Sequence, residues 1–133
     1  MTQNNKSERT VFNTGAFRDA DADKIDFEGH ISPLSLELVG RYMHKHRILP
    51  DGSRRDGDNW QRGIPETSFR KSFVRHVMDL WKIWRGWPAR ENEEDALGGW
   101  LFNANGLAHQ FEKRKIEAAG NRDADTASAR PAA

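Results

Sequence analysis

Residues 66–110, ETSFRKSFVRHVMDLWKIWRGWPARENEEDALGGWLFNANGLAHQ, decide the fold of this chain. Two apolar segments, FRKSFVRHVMDLWKIW and ALGGWLFNANGLAHQF, flank the polar link RGWPARENEED, which contains a proline. In both segments apolar residues recur with the 3.6-residue period of an amphipathic helix. Apolar residues cover so much of the first segment's circumference that we expect this helix to be central.

Each predicted helix also carries a stripe of small or polar residues beside its apolar face. On the first helix Ser72, His76 and Asp79 stand at i, i+4 and i+7. On the second helix the stripe consists of Gly99, Asn103, Gly106 and Gln110.

Glycine within a helix costs about 1 kcal/mol relative to alanine, so something must approach this backbone closely. We predict a narrow groove in which Asn103 meets the polar edge of a ligand such as a nucleobase. Tight packing between the two helices is the alternative explanation.

Size and composition limit the classes of protein that remain. A chain of 133 residues has the length of one domain, and 36% hydrophobic residues suffice for a modest core. Without cysteine, any metal must be held by oxygen or imidazole ligands. Short apolar runs and a polar start argue against a membrane protein and predict a cytoplasmic one. The balance of 21 basic against 20 acidic residues argues against binding to duplex nucleic acid.

The pattern predicts an all-α protein, a small bundle of three main helices with a long irregular lead-in and a long loop between helices one and two. We expect mobile ends at residues 1–8 and 117–133 and a single helical domain over residues 9–116. Helix one starts at Ser32-Pro33, a capping pair, and runs to about His46. Helix two is predicted to start at Pro65-Glu66 and to end before Gly86. Helix three is predicted to start among Glu91–Asp95 and to end near Lys113–Lys115.

The long loop LPDGSRRDGDNWQRGIP carries residues suited to a nucleotide. Guanidinium groups match phosphate oxygens, and a tryptophan face can stack on a base. The substrate-binding candidates here are Arg54, Arg55, Asn59, Trp60 and Arg62. Equally, Trp60 could pin the loop to the core while the charges neutralise one another. In the lead-in, Arg18 lies just beyond an Asn-Thr-Gly turn and is a further anion-binding candidate.

His76 and Asp79 can place an imidazole and a carboxylate in one site, where they could act in catalysis or hold a divalent ion. If the two central helices are antiparallel, Asp79 faces the acidic start of helix three. At this start of helix three the predicted metal ligands are Glu91, Glu94 and Asp95, whose hard oxygen atoms suit Mg²⁺ or Mn²⁺. The alternative is structural. Asp79 then pairs with Arg75 or Lys82, and the acids complement the helix dipole.

The chain resembles the phage-associated family described as dATP/dGTP diphosphohydrolase, N-terminal domain. The resemblance covers most of residues 9–112, and it rests on RxxxNTGAFR (9–18), YMHKHR (42–47), DGSRRDGDNWQRGIP (51–65), KSFVRHVMDLW (71–81) and LFNANGLAHQ (101–110). It implies an all-α enzyme related to the MazG-like pyrophosphohydrolases. Such an enzyme cleaves a purine deoxynucleoside triphosphate to the monophosphate and pyrophosphate with Mg²⁺ or Mn²⁺.

The chain departs from the MazG-like metal motif, an ExxE pair followed by ExxD on the next helix. His76-x-x-Asp79 stands where a carboxylate pair is expected, which leaves the metal site altered, reduced to one ion or lost. The alternative function is a non-catalytic module that binds nucleotides or a host protein through the same groove. We also expect a homodimer, because three helices leave Trp81, Trp84 and Trp87 hard to bury in one subunit.

Overall fold

The computed structural model describes residues 9–20 and 23–128. Helices make up 64% of it, which confirms the all-α class, and the described part contains one small two-stranded sheet. The chain forms two compact units, Met1–Pro33 and Leu34–Ala133. Our prediction of one helical domain over residues 9–116 did not divide the chain at this point. The predicted mobile end at residues 1–8 lies outside the described residues.

The first unit replaces the predicted irregular lead-in with a small hairpin and one helical turn. Strands β1 (Arg9–Val11) and β2 (Phe17–Asp19) pair antiparallel, with Thr10 opposite Arg18. Gly15 closes the hairpin at φ 84°, a conformation that glycine adopts without strain. Helix α1 (Phe27–His30) is capped by Asp26, whose carboxylate accepts a hydrogen bond from the Gly29 amide at 2.8 Å.

The second unit contains three longer helices close to the predicted positions. They are α2 (Pro33–Lys45), α3 (Glu66–Trp84) and α4 (Glu93–Ser128), with a short 3-10 turn at Asn59–Gln61 in the long loop. The predicted end of the third helix near Lys113–Lys115 is wrong, because α4 continues to Ser128. Helix formation propagates readily once started, and proline first follows at position 131.

Local chemistry explains where α3 ends and α4 begins. Gly86, at φ 77°, donates its amide to the Ile83 carbonyl, and Trp87 donates to the Lys82 carbonyl at 2.8 Å. These bonds satisfy carbonyl groups that the end of a helix leaves free. At the start of α4 the Asn92 side chain accepts from the Asp95 amide at 2.8 Å.

Helices α3 and α4 form an antiparallel hairpin. One end is joined by Arg114 and Glu66 at 2.9 Å, and the other by the Trp84 indole, which donates to Glu93 at 3.2 Å. Between them, a Cβ atom at Gly106 would lie only 2.5 Å from the Phe69 ring. The glycine stripe therefore serves close packing, the structural alternative considered above.

Helix α2 packs on the hairpin chiefly through Tyr42. A Cβ atom at Gly98 would lie 2.5 Å from Tyr42 Cβ, and the Tyr42 and Phe102 ring centroids are 6.5 Å apart. Arg41 pairs with Glu94 at 3.3 Å, which adds a second link between α2 and α4. Tyr42 is thereby positioned beside the polar residues of the hairpin.

Candidate functional site

The hairpin buries polar side chains where a helical pair ordinarily buries apolar ones. His76, Asp79 and Asn103 are 9%, 1% and 3% exposed, while buried apolar residues in the described structure are confined to Phe69, Leu80 and Ala96. Buried polar groups lower stability unless each finds a partner. Their partners therefore decide whether this region is structural or functional.

His76, Asp79 and Glu91 come together where α3 meets the link to α4. One ligand atom from each lies within 4.8 Å of the other two. Glu91 Oε1 lies 2.6 Å from His76 Nδ1, and both side chains are largely buried. Of the predicted metal ligands, the structure brings these three together.

Arg90 neutralises Asp79 within this cluster. Its guanidinium donates to Asp79 Oδ2 at 2.6 Å and to Oδ1 at 3.2 Å, and its backbone amide donates to Oδ1 at 3.3 Å. The hydrogen bonds from Arg90 lower the pKa of Asp79 to about 2, despite the opposing effect of burial. The predicted structural alternative of an ion pair is thus present, with Arg90 in the place of Arg75 or Lys82.

Glu94 and Asp95, also predicted as metal ligands, lie outside the cluster and contact α2. Glu94 pairs with Arg41, and Asp95 pairs with Lys45 at 2.6 Å. They belong to the first turn of α4, where acidic side chains also complement the helix dipole. Their separation from Asp79 follows from the helical rotation of α4, which turns these side chains toward α2.

A cleft of about 480 Å³ opens between α2, the long loop and α4. Three predicted substrate-binding residues, Arg55, Asn59 and Trp60, line it. Arg47 lines it as well, and among the residues that the structure describes neither Arg47 nor Arg55 pairs with a carboxylate. The cleft therefore offers two guanidinium groups without a carboxylate partner beside an aromatic ring, and one of them, that of Arg47, also donates to the His44 carbonyl at 2.6 Å.

The remaining predicted substrate-binding residues do not line this cleft. Arg62 pairs with Asp56 at 2.9 Å and with Asp58 at 3.2 Å, as expected if the loop charges neutralise one another. Arg54 forms a bridge with Ile48 through its backbone. Arg18 belongs to the first compact unit.

Asn103 is held inside the hairpin and does not open onto a groove. Its side-chain amide donates to the Gly99 carbonyl at 2.7 Å and to Ser72 Oγ at 3.2 Å. The predicted groove along the glycine stripe is closed by the His76 and Phe69 rings, which pack against Gly99 and Gly106. Asn103 thus stabilises the helix pair, and its predicted contact with a base would require the hairpin to open.

Tyr42 connects the polar cluster with the cleft. It lines the cleft, and its ring lies edge-on to His76 with the centroids 6.4 Å apart. Burial raises the pKa of the Tyr42 phenol above 10.0, and the negative charges of Glu91 and Asp95 add to this effect. At neutral pH Tyr42 is therefore a protonated hydrogen-bond donor between the two regions.

Sequence reasoning missed Tyr42, Arg47 and Arg90 as site residues. Tyr42 and Arg47 stand in the quoted motif YMHKHR, and Tyr42 also fits the apolar period of helix one, which is typical of a core residue. Arg90 occupies an irregular link whose backbone path no helical period specifies. Its pairing with Asp79 across 11 positions became visible only in the structure.

The ligand atoms that His76, Asp79 and Glu91 offer are of types that bind Mg²⁺ or Mn²⁺. Two carboxylates and one imidazole are suitable ligands, and their spacing allows them to share an ion. Arg90 would have to release Asp79, and its side chain, 55% exposed, has room to turn toward solvent.

Searches against protein-family models, curated proteins and solved structures returned no match for this chain. None of the helices in the described ranges has the length and apolar character needed to cross a membrane.

Proposed function

We propose that this protein is a metal-dependent diphosphohydrolase that converts purine deoxynucleoside triphosphates to monophosphates and pyrophosphate. The observation that carries the proposal is the adjacency, through Tyr42, of an acid–imidazole cluster and a cleft whose two arginines have no carboxylate partner among the described residues. Phosphoanhydride hydrolysis requires both parts, one to activate water and one to bind the phosphate chain. The purine preference comes from the family resemblance.

The cleft would bind the nucleotide. Arg47 and Arg55 would hold phosphate oxygens through bidentate hydrogen bonds, for which the guanidinium fork is suited. Trp60, whose ring lies edge-on to His109 with centroids 4.8 Å apart, would contact the base. Tyr42 would donate a hydrogen bond to a phosphate oxygen at the junction with the cluster.

The cluster would hold the ion through His76, Asp79 and Glu91. A bound Mg²⁺ or Mn²⁺ would supply positive charge and lower the pKa of water. In the net reaction water adds to the α-phosphorus, and the bond to the oxygen that bridges to the β-phosphorus breaks. Glu91 Oε1 lies 2.6 Å from His76 Nδ1 and orients the ring, and the carboxylate oxygen of Glu91 that does not hold the ion would take the proton from water.

Chromatography of the products tests this function. Purified protein is incubated with each of the common deoxynucleoside triphosphates and Mg²⁺ or Mn²⁺. We expect pyrophosphate and monophosphate from dATP and dGTP, with the rate reduced at least about tenfold by Glu91→Gln. Glu94→Gln is the matched control, because this exposed acid pairs with Arg41 outside the cluster. No product from any triphosphate with either ion would rule out the enzyme.

A non-catalytic nucleotide-binding module is the second candidate function. The pairing of Arg90 with Asp79 favours it, because this cation already neutralises a carboxylate that the ion would need. Calorimetry with dATP distinguishes the two functions. Binding that Arg55→Ala weakens, without product formation, would support the module and exclude the enzyme. Unchanged binding in Arg55→Ala would exclude the cleft from either function.

A further inference from the structure

The α3–α4 hairpin has a second apolar side, away from α2. Tyr42 of α2 contacts α4 at Gly98 and Phe102, and the helical period places a different row of residues on the opposite side of α4. We call this side of the hairpin the open face. It comprises Phe73, Val77, Trp81 and Trp84 of α3 together with Leu97, Trp100, Ala104, Leu107 and Phe111 of α4.

The open face leaves unusually large apolar side chains in contact with solvent. Trp81, Trp84 and Phe111 are 53%, 65% and 55% exposed, and the other members are partly exposed. A groove of about 540 Å³ runs along it, lined by residues that include Val77, Leu97 and Trp100. The hairpin thus buries His76 and Asp79 between its helices and exposes tryptophan to solvent. A stable isolated helix pair would instead bury its apolar residues and expose its polar ones.

The exposed apolar area of the open face is a large part of what each partner contributes to a stable dimer. An aromatic side chain buries about 150–250 Å², so Trp81, Trp84 and Phe111 together expose roughly 350 Å² per subunit. The six partly exposed members extend the patch toward the about 800 Å² per partner of a standard protein–protein interface. Monomeric proteins rarely leave a continuous apolar patch of this size in water.

The charges at one end of the face suit contact with another copy of the same face. Arg85 lines the groove and has no acidic partner among residues 9–20 and 23–128, while Glu93 accepts a hydrogen bond from the indole of Trp84, which lines the same groove. A twofold axis parallel to the helices would bring α3 of one copy onto α4 of the other. Arg85 of each copy would then approach Glu93 of its partner, with opposite charges at both rims.

We propose that the open face binds the open face of a second copy of this chain and forms a twofold-symmetric dimer. The two hairpins then enclose the apolar core that each unit lacks alone, in the manner of a four-helix bundle. The cleft lined by Arg47 and Arg55 borders α2, so it remains open to solvent in the dimer. The proposal is independent of the proposed catalytic function.

Sedimentation of the full chain tests the dimer directly. Interfaces of standard size have Kd values of about 1 μM or lower. At about 50 μM protein we therefore expect a sedimenting species with twice the chain mass of 15.2 kDa. The double variant Trp81→Lys/Trp84→Lys should sediment as a helical monomer, because both side chains are exposed in the subunit. Ile116→Lys is the control and should remain dimeric, since this exposed residue lies beyond α3. A monomeric wild type would overturn the proposal and assign the face to a different partner.

Cross-linking tests the face without relying on a disruptive change. The chain has no cysteine, so Val77→Cys places a single thiol at the middle of the open face. A short bis-maleimide should join two copies of this variant and give little dimer with Ile116→Cys. Dimeric protein in which Val77→Cys cross-links no better than Ile116→Cys would overturn the assignment of the open face.

Discussion

Gly99 is the residue at which the packing of the polar cluster can be tested most directly. A Cβ atom there would overlap the His76 ring, which is buried and hydrogen-bonded to Glu91. We predict that Gly99→Ala lowers the free energy of unfolding by about 1–3 kcal/mol, because overpacking outweighs the gain in helix propensity. Chemical denaturation followed by circular dichroism measures the change.

Gly120→Ala is the matched control for this substitution. It lies on the same helix, but a Cβ atom at Gly120 meets nothing within 4 Å. This variant should keep the free energy of unfolding within about 0.5 kcal/mol of the wild type, because Gly120 lies in the exposed extension of α4. If Gly99→Ala proves at least as stable as Gly120→Ala, the close contact with His76 is incorrect.

Asp79 makes the stability of the protein depend on pH in the acidic range. Its folded-state pKa of about 2 lies below the ordinary 3.8, so the unfolded chain binds more protons between about pH 4 and pH 2. The stabilisation by Arg90 is complete above pH 4 and lost as the pH falls toward 2. We predict that Asp79→Asn costs about 1–2 kcal/mol at pH 7, a value reduced for the solvent exposure of Arg90.

Urea denaturation at several pH values tests this dependence. The difference in stability between wild type and Asp79→Asn should shrink below pH 4 and approach zero near pH 2. Asp56→Asn serves as control, since the ion pair of Asp56 with Arg62 is exposed and contributes about 0–1 kcal/mol. A difference that stays constant from pH 7 to pH 2 would contradict the lowered pKa.

At the scale of the element, α4 consists of a packed part and an exposed extension. Its last described contact with α3 is the Arg114–Glu66 pair, and residues 112–128 are exposed. We predict that a chain ending at Ile116 loses helical circular dichroism signal but changes its unfolding free energy by less than about 0.5 kcal/mol.

A shorter chain ending at Ala108 is the comparison for this truncation. It lacks Gln110, whose side-chain amide donates to the Ile64 carbonyl at 2.8 Å, and it lacks Phe111 of the open face. This chain should be clearly destabilised. Equal loss of stability in both truncated chains would show that the extension of α4 supports the hairpin.

At the scale of the whole molecule, the cleft joins α2, the long loop and α4, so a bound nucleotide should stabilise all three together. We predict that dATP with Mn²⁺ raises the melting temperature. At a hundredfold excess over Kd, binding adds about 2.7 kcal/mol to the free energy of unfolding. Arg55→Ala should lose most of this shift. Arg54→Ala should keep it, because Arg54 does not line the cleft. Equal shifts in the two variants would contradict binding in the cleft.

The helices could be predicted from sequence because their determinants are local. The apolar period, the Ser32-Pro33 start and the Gly86 stop placed α2 and α3 within a residue or two of their observed bounds. The end of α4 was missed because residues 116–128 have no apolar period, and the helix continues there without tertiary support. Local patterns thus determine where helices form better than where they stop.

The partners of the polar residues could be predicted only in part. Spacing placed His76 and Asp79 on one face of α3, and the acidic start of α4 indicated that carboxylates lie near them. Which carboxylate reaches His76 depends on the path of the link and the rotation of α4, and the structure selects Glu91. The same rotation directs Glu94 and Asp95 toward α2.

The sequence by itself determined an all-α chain with a central helical hairpin whose inner stripe is polar, because periodicity and capping act over a few residues. Only the tertiary structure decided that Arg90 neutralises Asp79, that glycines close the predicted groove and that Tyr42 and Arg47 face a cleft. These features depend on distances between segments far apart in the chain. Such distances are set by the packing of all the helices together, and no local pattern encodes them.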